Sequence, residues 1–240
     1  MNVLTGKIAL ITGGGTGIGR GLALALAQEG VKVVVCGRRN DPLGETVRQA
    51  RARGGEALAV QADVSQEGDV RRLVDAALKA YGAIDILINN AGIFEGGPVN
   101  ELTPQEWDRV METNLRGPFL VARHVLPVMR AKHSGHIINI SSESGLSFYE
   151  GEAAYGTSKH ALNDLGEYIQ RENQTLGIRV NTICPGMVVS EMTENSSGLD
   201  PAKCLYPEDI ADLVIWLLTR RPNIKIGTPI LIQTMENPWE

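Results

Sequence analysis

The chain has 240 residues, with 43% hydrophobic and 21% charged side chains, which excludes an intrinsically disordered protein. A net charge of −5 argues against non-specific nucleic-acid binding, which rests on neutralising phosphates. Three scattered cysteines, Cys36, Cys184 and Cys204, form neither a disulfide framework nor a zinc pattern, and the longest apolar runs fall far short of the ~18 residues of a membrane span. The N-terminus, interrupted by Asn2, Thr5 and Gly6, does not read as a signal peptide, so the expected location is the cytoplasm.

Strands and helices alternate along the chain. Strands are expected at Lys7–Thr12, Val31–Cys36, Glu56–Gln61, Ile84–Asn90, His136–Ser141, Ile178–Cys184 and Thr228–Gln233. Helices are expected at Gly17–Glu29, Pro42–Arg53, Gln66–Tyr81, Pro104–Lys132 (kinked near Pro118 and Pro127), Ala153–Leu176 and Pro207–Leu218. The strands read as continuous apolar runs, the mark of a parallel sheet buried on both faces. The expected fold is therefore α/β: a doubly wound, Rossmann-type parallel sheet in a three-layer sandwich, with residues 1–240 as a single domain. The stretch at about 186–206 has no clear element and is expected to form a short substrate loop. Ligands of such sheets bind beyond the C-terminal strand ends.

Glycine is the compositional outlier, with 27 residues, and five of them fall in the seven positions Gly13–Gly19. They follow the first strand and open the first helix, where glycines let a phosphate approach backbone N–H groups. The sequence there is Thr12-Gly13-Gly14-Gly15-Thr16-Gly17-Ile18-Gly19, which matches neither G-x-G-x-x-G nor a Walker loop, yet is placed as a dinucleotide loop. The second strand ends Gly37-Arg38-Arg39. An NAD-preferring fold usually carries an acid at this point, whereas Arg38 can pair with a 2′-phosphate, stack on adenine or face water. NADP is favoured, with NAD the alternative. Tyr155 and Lys159 lie four apart on a helix, one turn from each other, and an ammonium there would lower the phenol pKa. The four histidines, His124, His133, His136 and His160, show no ligand spacing, and no metal is assigned.

Taken together, these motifs resemble the compact branch of the short-chain dehydrogenase/reductase family. The likeness runs from Thr12 to about Ala211, through Thr12-Gly13-x-x-x-Gly17-Ile18-Gly19, Asp63-Val64, Asn89-Asn90-Ala91-Gly92, Asn114, Ser142, Tyr155-x-x-x-Lys159 and Pro185-Gly186. The resemblance implies a catalytic set of Asn114, Ser142, Tyr155 and Lys159. Tyr155 would act as acid or base, Ser142 would hold the substrate oxygen, Lys159 would also reach the nicotinamide ribose, and Asn114 would hold Lys159 and a relay water. It implies a cofactor site built from Gly13, Gly15, Thr16, Gly17, Ile18, Gly19, Arg38, Asp63, Val64, Asn90, Ala91, Gly92, Tyr155, Lys159, Pro185, Gly186, Val188 and Ser190. Near the substrate it implies Phe94, Glu143, Phe148, Tyr149, Met187 and Met192, most of them apolar.

Two departures stand out: a short segment after Ser190, and a C-terminus, Gly227–Glu240, that lacks the family's Asp-Gly-Gly ending. Trp239 in that tail is expected to pack in the core, on a neighbouring subunit or near the substrate. Apolar stripes at Ala161, Leu165 and Tyr168 and at Val121, Val125 and Val128 are expected to belong to the core or, as the resemblance implies, to join a homodimer or homotetramer. Three functions follow from the resemblance. The first is an NADP-dependent reductase of ketones, including 3-oxoacyl thioesters. The second is an NAD-dependent dehydrogenase of a sugar or steroid-like alcohol. The third is a dinucleotide-binding sensor or scaffold without turnover.

Overall fold

The computed structural model describes residues 2–194 and 198–239. Seven strands form one parallel sheet: β1 (Ile8–Thr12), β2 (Lys32–Gly37), β3 (Ala57–Gln61), β4 (Ile86–Asn89), β5 (Gly135–Ile140), β6 (Ile178–Pro185) and β7 (Ile230–Ile232). Their order is β3-β2-β1-β4-β5-β6-β7. The chain thus builds outward from β1 to β3 and returns to β4 on the other side of β1. The order reverses between β1 and β4, and a doubly wound sheet opens its ligand crevice at that point.

Alternate strand residues face opposite layers, and the two layers form separate apolar clusters. Ile11, Val33, Val35 and Ile88 pack with α1 (Gly17–Gln28), α2 (Asn40–Ala52) and α7 (Pro207–Leu218). Leu10, Val34, Leu87 and Ile137 pack with α3 (Glu67–Tyr81), α5 (Gly117–Ala131) and α6 (Ala153–Asn173). Continuous burial holds for the central strands. The edge strand β3 is buried only at Ala57 and then alternates between half-buried and exposed positions, and β7 is at most half-buried. β7 is shorter than expected because Pro229 has no N–H to give a ladder.

The long helical segment breaks in a different place from that expected. After α4 (Pro104–Met111), whose first turn is closed by a reciprocal Thr103–Glu106 capping box, the backbone widens into a π-turn at Glu112–Arg116 before α5 begins. Pro118 follows directly on that π-turn in the first turn of α5, and Pro127 lies within α5. A π-turn carries one extra residue and commonly marks a functional position, and this one contains Asn114.

Val121 and Val125 belong to the core, one of the two places expected for that stripe. Trp239 is half exposed, so it does not pack in the core. Its tail instead lies on the loop after β6: the Asp200 amide donates to the Pro238 carbonyl at 2.9 Å, and the Thr234 hydroxyl to the Lys203 carbonyl at 2.7 Å. That loop holds a parallel bridge, Val188 with Leu205, and a short 3-10 turn at Pro201–Lys203. Asn195–Ser197 of the expected substrate loop lie outside the described residues. His136, buried at the N-terminal end of β5, bonds Asn181 at 2.9 Å, and burial drops its pKa to about 3, so it is a neutral imidazole.

Candidate active site

Two glycines set the loop between β1 and α1. Gly13 turns with φ +64°, and a Cβ there would lie 2.9 Å from Ala91 Cα. A Cβ on Gly19 would lie 2.2 Å from the Gly13 carbonyl oxygen. The first glycine is required by conformation and contact, the second by contact alone. Three side chains pin the turn. Asn90 Nδ2 donates to the Thr12 and Gly13 carbonyls at 2.9 and 3.1 Å. The Thr12 hydroxyl accepts from the Asn90 and Ala91 amides at 3.0 Å each. Arg20 ties the Gly15 carbonyl to Thr46 on α2. Thr16, at the start of α1, makes no side-chain cap, so the first amides of the helix are left to an anion.

A cleft runs along the C-terminal strand ends. Of the residues expected to bind a cofactor, Gly13, Gly15, Thr16, Gly17, Ile18, Arg38, Asp63, Val64, Asn90, Ala91, Gly92, Tyr155, Lys159 and Ser190 line it. Gly19, Pro185, Gly186 and Val188 do not. Gly19 serves loop packing, Val188 pairs with Leu205, and Gly186 donates its amide to the Ile232 carbonyl at 2.8 Å. Arg20, Thr46 and Thr193 support the cleft without having been expected. Thr193 closes the turn at Ser190 by donating to the Val188 carbonyl at 2.8 Å. Their only sequence signal was polarity, which any surface residue shares.

At one end of the cleft, the exposed Arg38 guanidinium has no hydrogen-bond or ionic partner among the described residues. Its neighbour Arg39 is paired with Glu191, from the loop after β6, at 2.6 Å. The Asp63 carboxylate accepts from the Ser65 amide and hydroxyl at 2.9 and 2.8 Å, so it also braces the turn into α3. Uncapped amides, a glycine turn and an unpaired guanidinium beside Gly37 fit a dinucleotide with a 2′-phosphate.

At the other end, α6 presents Tyr155 and Lys159 one turn apart. Lys159 is buried, donates to the Ile140 carbonyl at 3.0 Å, and places Nζ 5.5 Å from the Tyr155 ring centre. Burial brings its pKa down to about 8. Burial pushes Tyr155 up to about 12; the bond with Ser142 works against that rise, while Glu152 and Glu143 add to it. The expected lowering of the phenol by Lys159 is therefore not met in the protein alone. The ammonium is directed at a carbonyl, and its own charge is disfavoured by burial.

Ser141 donates to the Lys159 carbonyl at 3.1 Å, which leaves Ser142 as the serine that meets Tyr155. Asn114 accepts from the Ile93 amide at 2.9 Å and donates to the Ile93 carbonyl at 2.9 Å and to Ser158 Oγ at 3.1 Å. None of these bonds reaches Lys159 directly. Asn114 Oδ1 and Lys159 Nζ each lie 3.5 Å from where a Gly92 Cβ would stand, so Gly92 leaves room for both groups.

The mouth is apolar. Phe94 meets the Tyr155 ring edge-on at 5.3 Å, and the exposed Phe148 stacks on His160 at 5.1 Å. Tyr149 and Met192 are also about half exposed, while Met187 is partly buried in the loop.

Residues 7–199 match the short chain dehydrogenase family. The chain belongs to that family. Among relatives of this short-chain dehydrogenase is an uncharacterised oxidoreductase of Staphylococcus aureus (strain MRSA252), 34% identical over 227 residues and covering 95% of this chain and 97% of its own. Among solved structures, a metagenomic short-chain oxidoreductase in complex with NADP superposes with a TM-score of 0.85 at 34% identity, covering 97% of this chain and 99% of its own. A variant of actinorhodin polyketide ketoreductase with NADPH gives 0.84 at 32% identity, covering 91% and 92%. This short-chain dehydrogenase is an NAD(P)-dependent oxidoreductase. Among its described residues no helix is long and apolar enough to cross a membrane, and no group of three or more His, Cys, Asp or Glu could hold a metal ion.

Proposed function

We propose that the protein is an NADP(H)-dependent reductase of ketones, running in reverse on secondary alcohols. The observation that carries this reading is the pairing of Ser142 with a protonated Tyr155, above buried Lys159, in a cleft whose far end offers the free Arg38. Bound NADPH supplies the hydride. Ser142 and Tyr155 both donate to the carbonyl oxygen, and Tyr155 gives its proton as the alkoxide forms. Lys159 is the charge that stabilises the phenolate left behind, and Asn114 fixes the loop after β4 at Ile93 and Ser158 around it. NADPH consumption over a ketone panel tests the reaction; no consumption with any ketone overturns it.

Arg38 decides the cofactor. Arg38→Ala should weaken NADPH binding about 10- to 100-fold, the worth of a charge-assisted bidentate pair, and leave NADH binding within about twofold. Calorimetry checks both, and equal losses for the two cofactors would remove Arg38 from the 2′-phosphate.

The three cysteines are free and buried, which supports a reducing, cytoplasmic compartment. A groove lined by Met111, Leu115, Phe119 and Leu165, with Tyr168 67% exposed on α6, supports association of copies through α5 and α6. Light scattering should give a dimer or tetramer, and a ~26 kDa species alone would refute it.

A further inference from the structure

Two consecutive arginines follow β2, and the fold treats them differently. Arg38 has no partner among the described residues, whereas Arg39 is held by Glu191 at 2.6 Å, 152 positions further along the chain. Arg38, Arg39 and Glu191 all line the cleft, together with Thr16 and Gly17 at the start of α1. β2 and β6 are separated in the sheet by β1, β4 and β5. The pair therefore spans the cleft, with Arg39 reaching from the β2 side and Glu191 from the loop after β6.

The turn that carries Glu191 is braced. Thr193 Oγ1 accepts from the Ser190 amide at 2.9 Å, and the Thr193 amide donates to the Ser190 carbonyl at 3.1 Å. Ser190 Cβ lies 3.2 Å from where a Gly17 Cβ would stand, so this turn is seated on the start of α1. The bond from the Arg39 guanidinium keeps the Glu191 carboxyl below its usual range, and the Thr16 hydroxyl adds to this. Glu191 is thus an anion held inside a cleft that fits a dinucleotide. As a contribution to stability the pair is minor, because its side chains are 65% and 51% exposed. Its consequence is for what enters the cleft. A phosphate arriving beside Arg38 finds the charge of Arg39 already offset, and meets the carboxylate that offsets it as a like charge.

Resting on the NADP(H) reading above, we propose that Glu191 sets how strongly the protein distinguishes NADP(H) from NAD(H): its carboxylate holds Arg39 back from the 2′-phosphate, so that Arg38 alone recognises that group while the pair is closed. Arg39 is a second phosphate-binding cation that acts only when the pair opens. NAD(H) carries a hydroxyl in place of that phosphate and leaves the pair undisturbed.

Calorimetry on the whole protein tests this without any turnover. Glu191→Gln keeps the size of the side chain and removes its charge. It should tighten NADPH binding about three- to fivefold, the range of an exposed ion pair, and leave NADH within about twofold. The gain should shrink in high salt, which screens exposed charges. Adenosine 2′,5′-bisphosphate should follow NADPH, and adenosine 5′-monophosphate should follow NADH, because the effect resides at one phosphate. Adding Arg39→Ala to Glu191→Gln should cancel the gain. Both side chains are exposed, so the variants should fold as the wild type does, which circular dichroism checks. Unchanged or weaker NADPH binding by Glu191→Gln, an equal gain for NADH, or a gain that survives the loss of Arg39 overturns the role of Glu191 alone. A wild type that binds NADPH no more tightly than NADH, with neither affinity changed by Arg38→Ala, overturns the NADP(H) reading and this role with it.

Discussion

Tyr155→Phe is expected to lower kcat for ketone reduction about a thousandfold, within the range by which a positioned acid accelerates proton transfer. Phenylalanine keeps the ring, with its edge contact to Phe94 and its place beside Lys159, so the cleft wall stays in position. What it removes is the proton donor and the bond with Ser142. Calorimetry should therefore show NADPH binding within about threefold of the wild type, because most cofactor-lining groups lie on the glycine loop and the ends of β2 to β4. The phenol in the protein alone stays protonated, at about 12. For reduction this is the useful state, since the acid is fully loaded at neutral pH. For oxidation it is the wrong state, and the positive charge of an oxidised nicotinamide would have to bring it down. The wild type should accordingly reduce ketones at a rate that is flat through neutral pH, while alcohol oxidation climbs with pH. Normal turnover by Tyr155→Phe would remove Tyr155 from the chemistry.

The parts legible in the sequence were those set by period and by spacing. Ile8–Thr12 and Val33–Cys36 are buried on both faces, so their apolar runs are unbroken. Pro207–Leu218 carries its own start signal in Pro207-Glu208-Asp209. Tyr155 and Lys159 are bound to one helix, so four residues of spacing suffice to place them together. The π-turn around Asn114 was hidden, because one extra residue in a helix changes no residue type. The two prolines drew attention to α5, where neither breaks the helix. Charge relations between distant segments were equally hidden: Arg39 meets Glu191 across 152 positions, and nothing local to either marks the pair. The direction of the Tyr155 shift was missed for a related reason. The sequence shows that a lysine is near, but burial outweighs it, and burial is a property of the whole fold.

Lys159→Met should separate function from stability in the opposite sense to most active-site changes. Activity should fall by about a hundredfold or more, because the phenolate formed at Tyr155 loses the one cation beside it. The folded protein should nonetheless become more stable at pH 7. Lys159 has its pKa lowered from 10.5 to about 8 by burial. Between those values the unfolded chain holds more protons than the folded one, so stability from this group rises with pH through that window. Below pH 8 the folded protein carries the full cost of a buried ammonium. At about 1.4 kcal/mol per unit that cost has an upper bound of about 3.5 kcal/mol. Methionine is of similar length, polarisable and uncharged; it removes the cost and gives up the bond to the Ile140 carbonyl, worth about 1 kcal/mol. Denaturant titrations should therefore show a gain of about 1–2 kcal/mol at pH 7, shrinking to none or to a small loss well above pH 10.5, where the wild-type lysine is neutral in both states. An equal gain at both pH values would mean that packing, not charge, is the cause. A loss at pH 7 would mean that the ammonium is better compensated than its single carbonyl partner implies.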